Sequence, residues 1–308
     1  MYSQDGTTPM SLPEAIKSYR SLSSPEVLVG YSVTGRTSTA LVESGPSNVT
    51  QEYLRQACSN IPAKKIEWIV VSHIHIDHSG GAWRMVKELP NARVGVYERG
   101  ARHLIDPSRL VISAREALGD VLEVWGPVEG VPQEKVASMK AGATVDLGGK
   151  TLRLIAAPGH APHSSVWYLE EDRVLFSGDS LGIFLDREGN QLLWPTSPPP
   201  SYNHDLAMET ISQLKSLKLD LICFPHFGYT SSIDKAFASI DETFSKWAQI
   251  TRSAIENNES FKDTLDKVVQ ASGLNQVLRD DYRRKLVAMD LRGMLMYQES
   301  ARAHSTRK

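Results

Sequence analysis

The sequence predicts an α+β fold, with sheets covered by helices and a helical region at the C-terminal end. Three observations carry this reading: short β-branched runs recur through the first two thirds, helical stretches separate them, and strand signals stop near residue 232. The strand-like runs are 27–29, 39–42, 66–71, 93–97, 151–156, 166–169, 174–176 and 219–224, most of them bounded by Gly, Pro, Asn or Asp. Among the helical stretches, one opens at Thr50 as a cap, 81–89 is stopped by Pro90, and 205–217 carries Leu206, Ile211, Leu214 and Leu217 on one side. Three more are expected at 233–255, 261–271 and 278–303. In the last of these, Leu278, Tyr282, Leu286, Met289 and Met296 form an apolar stripe suited to core packing or an oligomer seam. The chain therefore divides into an irregular N-terminal lead at 1–26, a main domain at 27–231 and a helical extension at 232–308.

Composition narrows the class. A chain of 308 residues can bury a substantial core, and 41% hydrophobic with 23% charged residues is ordinary for a globular protein. No apolar run approaches the roughly 20 residues that a spanning helix requires. The first 26 residues carry Asp5, Glu14 and Glu26 and lack the apolar centre of a secretory signal. The only cysteines, Cys58 and Cys223, are far apart, which leaves neither a disulfide framework nor a thiolate cluster. A cytoplasmic protein is the expectation. A net charge of −2 supplies no basic field, so neither nucleic acid nor membrane is expected as a partner.

The chemistry concentrates at 73–78. His73, His75, Asp77 and His78 follow directly on the strand-like run 66–71. In an extended segment alternate side chains share a face, so His73, His75 and Asp77 are expected to project together while His78 turns in as the strand ends. Imidazole suits borderline ions such as Zn²⁺ and Fe²⁺, and a carboxylate adds a harder ligand for a second ion. Ser79-Gly80-Gly81 then permits a sharp exit into a helix. Other strand ends repeat the form: Pro158-Gly159-His160 after 151–156, Gly178-Asp179 after 174–176, and Pro225-His226 after 219–224. Each is an apolar strand, a turn-making residue and a potential ligand.

Together these motifs resemble the ligand set of the metallo-β-lactamase superfamily, over about residues 27 to 231. The resemblance implies a four-layer αββα sandwich with its site at one edge between the sheets. It also implies that His73, His75 and His160 hold one ion, that Asp77, His78 and His226 hold the other, and that Asp179 bridges them. Two divalent ions are then expected, zinc first, with iron or manganese as alternatives. Glu43 stands where the family usually has Asp at the end of an early strand.

The family reading implies a binuclear hydrolase in which a hydroxide shared by the ions attacks an ester-like bond, a thioester or lactone of a small molecule. Asp77 is the expected catalytic residue, hydrogen-bonding that nucleophile and passing a proton to the leaving group. Pro158-Gly159-His160 and Phe176-Ser177-Gly178-Asp179-Ser180-Leu181 are similar to the glyoxalase II-like group, although its Cys-Gly-Arg segment is absent. The alternatives are an iron enzyme resembling persulfide dioxygenases and a non-catalytic metal-binding regulator. His163 is a candidate for lining the site, and 194–202 for one wall of its pocket. His103, His204 and His304 are expected to be surface or structural residues. A homodimer through the C-terminal helices is a further expectation.

Overall fold

Runs such as 166–169 and 174–176 are apolar at every position, the pattern of strands buried on both faces. The computed structural model, which describes residues 11–21, 28–187, 190–276 and 281–305, accounts for it with two sheets face to face. The first sheet runs in sequence order: β1 (Ile16–Arg20), β2 (Val29–Thr34), β3 (Thr39–Val42), β4 (Ile66–Val70), β5 (Arg93–Tyr97) and β6 (Val136–Met139). Pairing is antiparallel from β1 to β3 and parallel from β3 to β6. The second half of the chain supplies β7 (Thr144–Asp146), β8 (Thr151–Ala156), β9 (Ser165–Leu169), β10 (Val174–Phe176), the hairpin of β11 (Ile183–Arg187) and β12 (Asn190–Trp194), β13 (Leu221–Cys223) and β14 (Tyr229–Thr230). Its sheet has the order β14-β13-β10-β9-β8-β7, with the hairpin separate.

The helices are α1 (Thr50–Cys58), α2 (Ile76–Ser79), α3 (Ala82–Glu88), α4 (Glu98–Ile105), α5 (Ser108–Leu118), α6 (His204–Lys215), α7 (Ile233–Glu256), α8 (Phe261–Ala271) and α9 (Asp281–Ser305). Alternation along the strands sorts the side chains into layers. Tyr31, Val42 and Val70 meet Leu154, Trp167 and Phe176 between the sheets. Leu41, Ile69 and Val94 point the other way, onto Tyr53, Trp83 and Val86 of α1 and α3. Val166, Leu175 and Ile222 face Ile211, Phe237, Trp247 and Leu291 of α6, α7 and α9. Helices, sheet, sheet and helices give the αββα sandwich. Trp167 locks the two sheets together: its side chain is fully buried and its Nε1–H donates to the Val71 carbonyl at 3.1 Å. Truncation of such a residue to Ala costs about 3–5 kcal/mol.

Several expectations are corrected. The lead is not wholly irregular, because Ile16–Arg20 pairs with β2; residues 1–10 and 22–26 of it lie outside the described residues. The strand expected at 27–29 begins at Val29, and Val27 is outside the described residues. Val49, not Thr50, occupies the N-cap of α1, and the Thr50 hydroxyl donates back to the Pro46 carbonyl at 3.2 Å. The stripe on α9 is rotated from the expected one. Leu286, Val287, Leu291 and Met294 are buried, the last three in the layer against the second sheet, whereas Met296 is exposed and Leu278 lies outside the described residues. Of the residues in the expected stripe, Leu286 and Met289 line a cavity and Met296 is exposed, so the face covered by the chain's own sheet is a different one. Among the described residues no helix is long and apolar enough to cross a membrane.

Candidate metal centre

The ends of β4, β8, β10 and β13 meet at one edge of the sandwich, and each delivers a motif named above. After β4 the chain is tied across the sheets by the Ser165 amide and hydroxyl, which donate to the Ser72 carbonyl at 2.9 and 2.7 Å. This fixes the backbone that carries His73. At Ile76 the extended path ends and α2 begins, with His75 in the cap position. The expected common face of His73, His75 and Asp77 is therefore corrected. The helical turn swings Asp77 and His78 away from the two preceding histidines, and the run divides between two clusters.

The first cluster is His73, His75 and His160; the second is Asp77, His78, Asp179 and His226, and within each the offered ligand atoms lie within 4.8 Å of one another. In the first, His73 Nε2 is 3.0 Å from His75 Nδ1, and His160 Nε2 is 3.2 and 2.9 Å from those two atoms. In the second, His78 Nε2 lies 3.3 Å from both Asp77 Oδ2 and Asp179 Oδ1, and His226 Nε2 lies 3.7 and 3.5 Å from the same two oxygens. Asp179 faces both clusters, because its other oxygen, Oδ2, is 3.6 Å from His160 Nε2. All seven residues of the expected set are therefore brought together.

Glycines make this convergence possible. Gly159 has φ +133°, and a Cβ there would stand 2.4 Å from the Ala207 Cα, so α6 packs directly on the turn that presents His160. Gly178 has φ +47°, and a Cβ there would meet the Ser72 side chain at 2.5 Å. Any larger residue would push Asp179 away from the exit of β4.

Neighbouring groups orient the ligands. His160 Nδ1–H donates to the Thr196 carbonyl at 3.0 Å, which leaves Nε2 as a lone pair facing the cluster. The Thr196 hydroxyl also donates to the Asp179 carbonyl at 2.7 Å. Thr196 is held in turn by the next residue, whose amide donates to the Asp290 carboxylate of α9 at 2.7 Å. Glu43 occupies the left-handed region at φ 66°. From there its Oε1 is 3.6 Å from His78 Nδ1 and its Oε2 accepts the Ser72 amide at 3.3 Å. A longer acid in the family's Asp position thus still reaches the back of His78, a histidine of the second cluster, from strained backbone of the kind that concentrates at functional sites.

The electrostatics differ between clusters. Burial, with His78, His75 and His160 as neighbours, holds His73 well below the usual imidazole range. Burial and His160 do the same for His75, and burial lowers His160. His78 goes the other way: burial opposes its charge, but Asp77 and Asp179 outweigh burial and hold its pKa well above the usual value. The same pairing keeps Asp179 well below, and Asp77 below, the ordinary carboxylate range despite burial. Three neutral imidazoles crowding their nitrogens together are unfavourable among themselves and fit a cation. Two carboxylates and two imidazoles beside them fit a second. The donor set is compatible with divalent metal.

The remaining histidines separate clearly. His163 enters neither cluster. It lines the adjoining cavity, with its ring parallel to His73 at 6.1 Å and edge-on to His75 at 5.3 Å, and burial and His160 push its pKa down to about 3. His103, expected at the surface, also lines the cavity, whereas His204 meets the Tyr202 hydroxyl at 3.0 Å and His304 is exposed. In the expected wall, Trp194 and Tyr202 pack into the core while Thr196, Pro198, Pro199, Pro200 and Ser201 line the cavity.

The sequence model of the metallo-β-lactamase superfamily matches residues 28–226. The chain belongs to the metallo-β-lactamase superfamily. It is 30% identical over 211 residues to a metallo-beta-lactamase fold-containing protein of Sulfurisphaera tokodaii, covering 67% of this chain and 75% of that one. A beta-lactamase-like protein 2 homolog of Caenorhabditis elegans is 32% identical over 206 residues, and there the match spans 66% of this chain and only 55% of the relative. The structure of a metallo-beta-lactamase family protein from Thermus thermophilus superposes with a TM-score of 0.70 at 17% identity, over 95% of this chain and 96% of that one, which is a likeness of fold. Members of this superfamily are mostly metal-dependent hydrolases, and the His/Asp clusters place this chain in the metal-binding, hydrolase-like class.

Proposed function

We propose that the chain is a binuclear metal-dependent hydrolase of an ester-like bond, with a thioester or lactone of a small molecule as substrate. The observation that carries this reading is Asp179, whose two oxygens face separate donor clusters at the floor of a cavity of about 710 Å³. Two divalent ions there, zinc in the first instance, would supply an acidified water and polarise the bond to be broken. His73, His75 and His160 would hold one ion, Asp77, His78 and His226 the other, and Asp179 both.

The chain's own residues do the rest. Asp77 is the least enclosed of the second cluster, with 13% of its side chain exposed, and it lines the cavity. Its free oxygen is suited to accept a hydrogen bond from the attacking water and to hand a proton to the departing thiolate or alkoxide. Ile74, Ile76 and Trp125 line the same cavity and limit bulk water around the reacting bond.

The test is hydrolysis of a panel of thioesters, lactones and phosphodiesters by metal-loaded and metal-stripped protein, with Asp77→Asn beside them. The expected result is metal-dependent cleavage of thioester or lactone, and a loss of turnover in Asp77→Asn of about a hundredfold with metal content largely kept. Inactivity of the loaded protein on every ester would favour a metal-binding regulator. Mononuclear iron with oxygen uptake would favour the dioxygenase-like alternative.

A further inference from the structure

The cavity beside the His/Asp clusters is graded in polarity along one helix. Pairs of α5 residues four positions apart line it: Arg109 and Leu110, then Ser113 and Ala114, then Ala117 and Leu118. Residues so spaced form two adjacent rows of one helix face: over about 12 Å (eight residues at about 1.5 Å each) the row Arg109, Ser113 and Ala117 passes from cation through hydroxyl to methyl, while the row Leu110, Ala114 and Leu118 is apolar throughout. At the cationic end α4 contributes Arg99 and Arg102. Leu110, Ala114 and Leu118 pack with Trp125 and Ile76 along the apolar row, and α9 adds Leu286 and Met289 to the lining.

The arginines are available to a ligand. Arg99, Arg102 and Arg109 are exposed, and among the described residues none of them forms an ion pair, although Arg102 Nε–H donates to His103 Nε2 at 3.0 Å. Glu98 is the only acid that α4 and α5 place on the cavity. Guanidinium groups clustered in this way recognise phosphate or carboxylate oxygens through charge-assisted, often paired hydrogen bonds. Met289 and Leu286 on the opposite side offer nothing to a charged or hydroxylated group.

We propose that the substrate is an amphiphile, an open-chain thioester or ester whose apolar acyl group lies between α5, Trp125 and α9 and whose leaving group carries an anion to Arg99, Arg102 and Arg109. This rests on the hydrolase reading above and narrows it. A lactone has no separate leaving group to fill the second, chemically different end, whereas an open-chain ester has two parts that match two ends. The reaction is a hydrolysis without redox change. The oxygen of water bonds to the acyl carbon, the C–S or C–O bond breaks, and its electron pair and a proton leave with the thiol or alcohol.

The experiment compares octanoyl thioesters of coenzyme A, glutathione and N-acetylcysteamine, whose thiols carry phosphates, carboxylates and no charge, on the metal-loaded full chain. Acetyl thioesters of the same three thiols give the length dependence. Calorimetric binding of S-octyl coenzyme A and S-octyl-N-acetylcysteamine, which cannot be hydrolysed, is measured in parallel. The expected result is an advantage of about tenfold or more in kcat/KM for octanoyl over acetyl and for an anionic over the neutral thiol. The better of the two anionic thiols tells phosphate from carboxylate. Arg99→Ala with Arg102→Ala should raise KM about tenfold on that thioester and so remove most of its advantage over the neutral one, and Leu118→Ser should reduce the preference for octanoyl. Equal rates and equal binding for charged and neutral compounds would overturn the inference while leaving a hydrolase. Selective binding of S-octyl coenzyme A without turnover of any thioester, ester or lactone would keep the amphiphile site and sink the hydrolase reading.

Discussion

The two halves of the metal centre are built from opposite electrostatic materials. His73, His75 and His160 form a cluster of imidazoles held neutral by burial and by one another. Asp77, His78, Asp179 and His226 form a cluster in which buried carboxylates keep a proton on His78. The difference teaches that the first half is ready for a cation at neutral pH, whereas an ion entering the second must displace a proton that the carboxylates favour. Asp179 faces both halves, and on the binuclear proposal both depend on it.

Removing the connection should have the largest effect. Asp179→Asn, nearly isosteric, should lower metal content from two ions per chain to one or fewer and cut hydrolysis by more than about a hundredfold, since even outer partners of ligands account for 10–100-fold. Elemental analysis beside activity checks this; two ions retained would show that the halves stand independently.

A pH series sharpens the contrast. The His78 pKa is raised, so protons compete for it at a higher pH than at His73 and His75, whose pKa values are depressed. On dialysis into progressively more acidic buffer, one ion per chain should leave first, from the cluster of His78, and the imidazole cluster should keep its ion to lower pH. Metal analysis at each step reads the order, and simultaneous loss of both would break the comparison.

The smallest of these effects is expected at Glu43. Glu43→Gln keeps the shape but removes the charge facing His78 Nδ1 at 3.6 Å. The second ion should bind about tenfold more weakly, and the first should be unaffected. Competition with a chromophoric chelator measures both. Equal weakening of both ions would mean that Glu43 acts through the fold.

The residues of the two clusters are legible in the sequence because His and Asp stand at the ends of apolar strands, as at His160, Asp179 and His226. The strands that bury both faces, β9 and β10, are legible for the same local reason. Elements whose structure comes from pairing are not. Ile16–Arg20 has only Ile16 and Tyr19 buried and becomes a strand by lying beside β2. Helix α5 has no buried residue and carries little core signature, yet it supplies the graded wall of the cavity. The run 73–78 carries a metal-compatible donor pattern in the sequence itself, but its division into two clusters depends on the helical turn at Ile76. Thr196 and Asp290 reach the site only because α9 folds back onto the loop after β12: a Cβ on Gly293 would stand 1.8 Å from the Ser197 carbonyl. No local pattern records such a contact.

The central claim is that one chain holds two ions through two unlike clusters joined by Asp179. Its most direct test is the number of metal ions per chain of 308 residues, measured by elemental analysis after loading and removal of excess metal at neutral pH. The account predicts two, falling to one in His73→Ala/His75→Ala, with the remaining ion held by the acid-rich cluster. A single ion in the unaltered protein, or none, would contradict it.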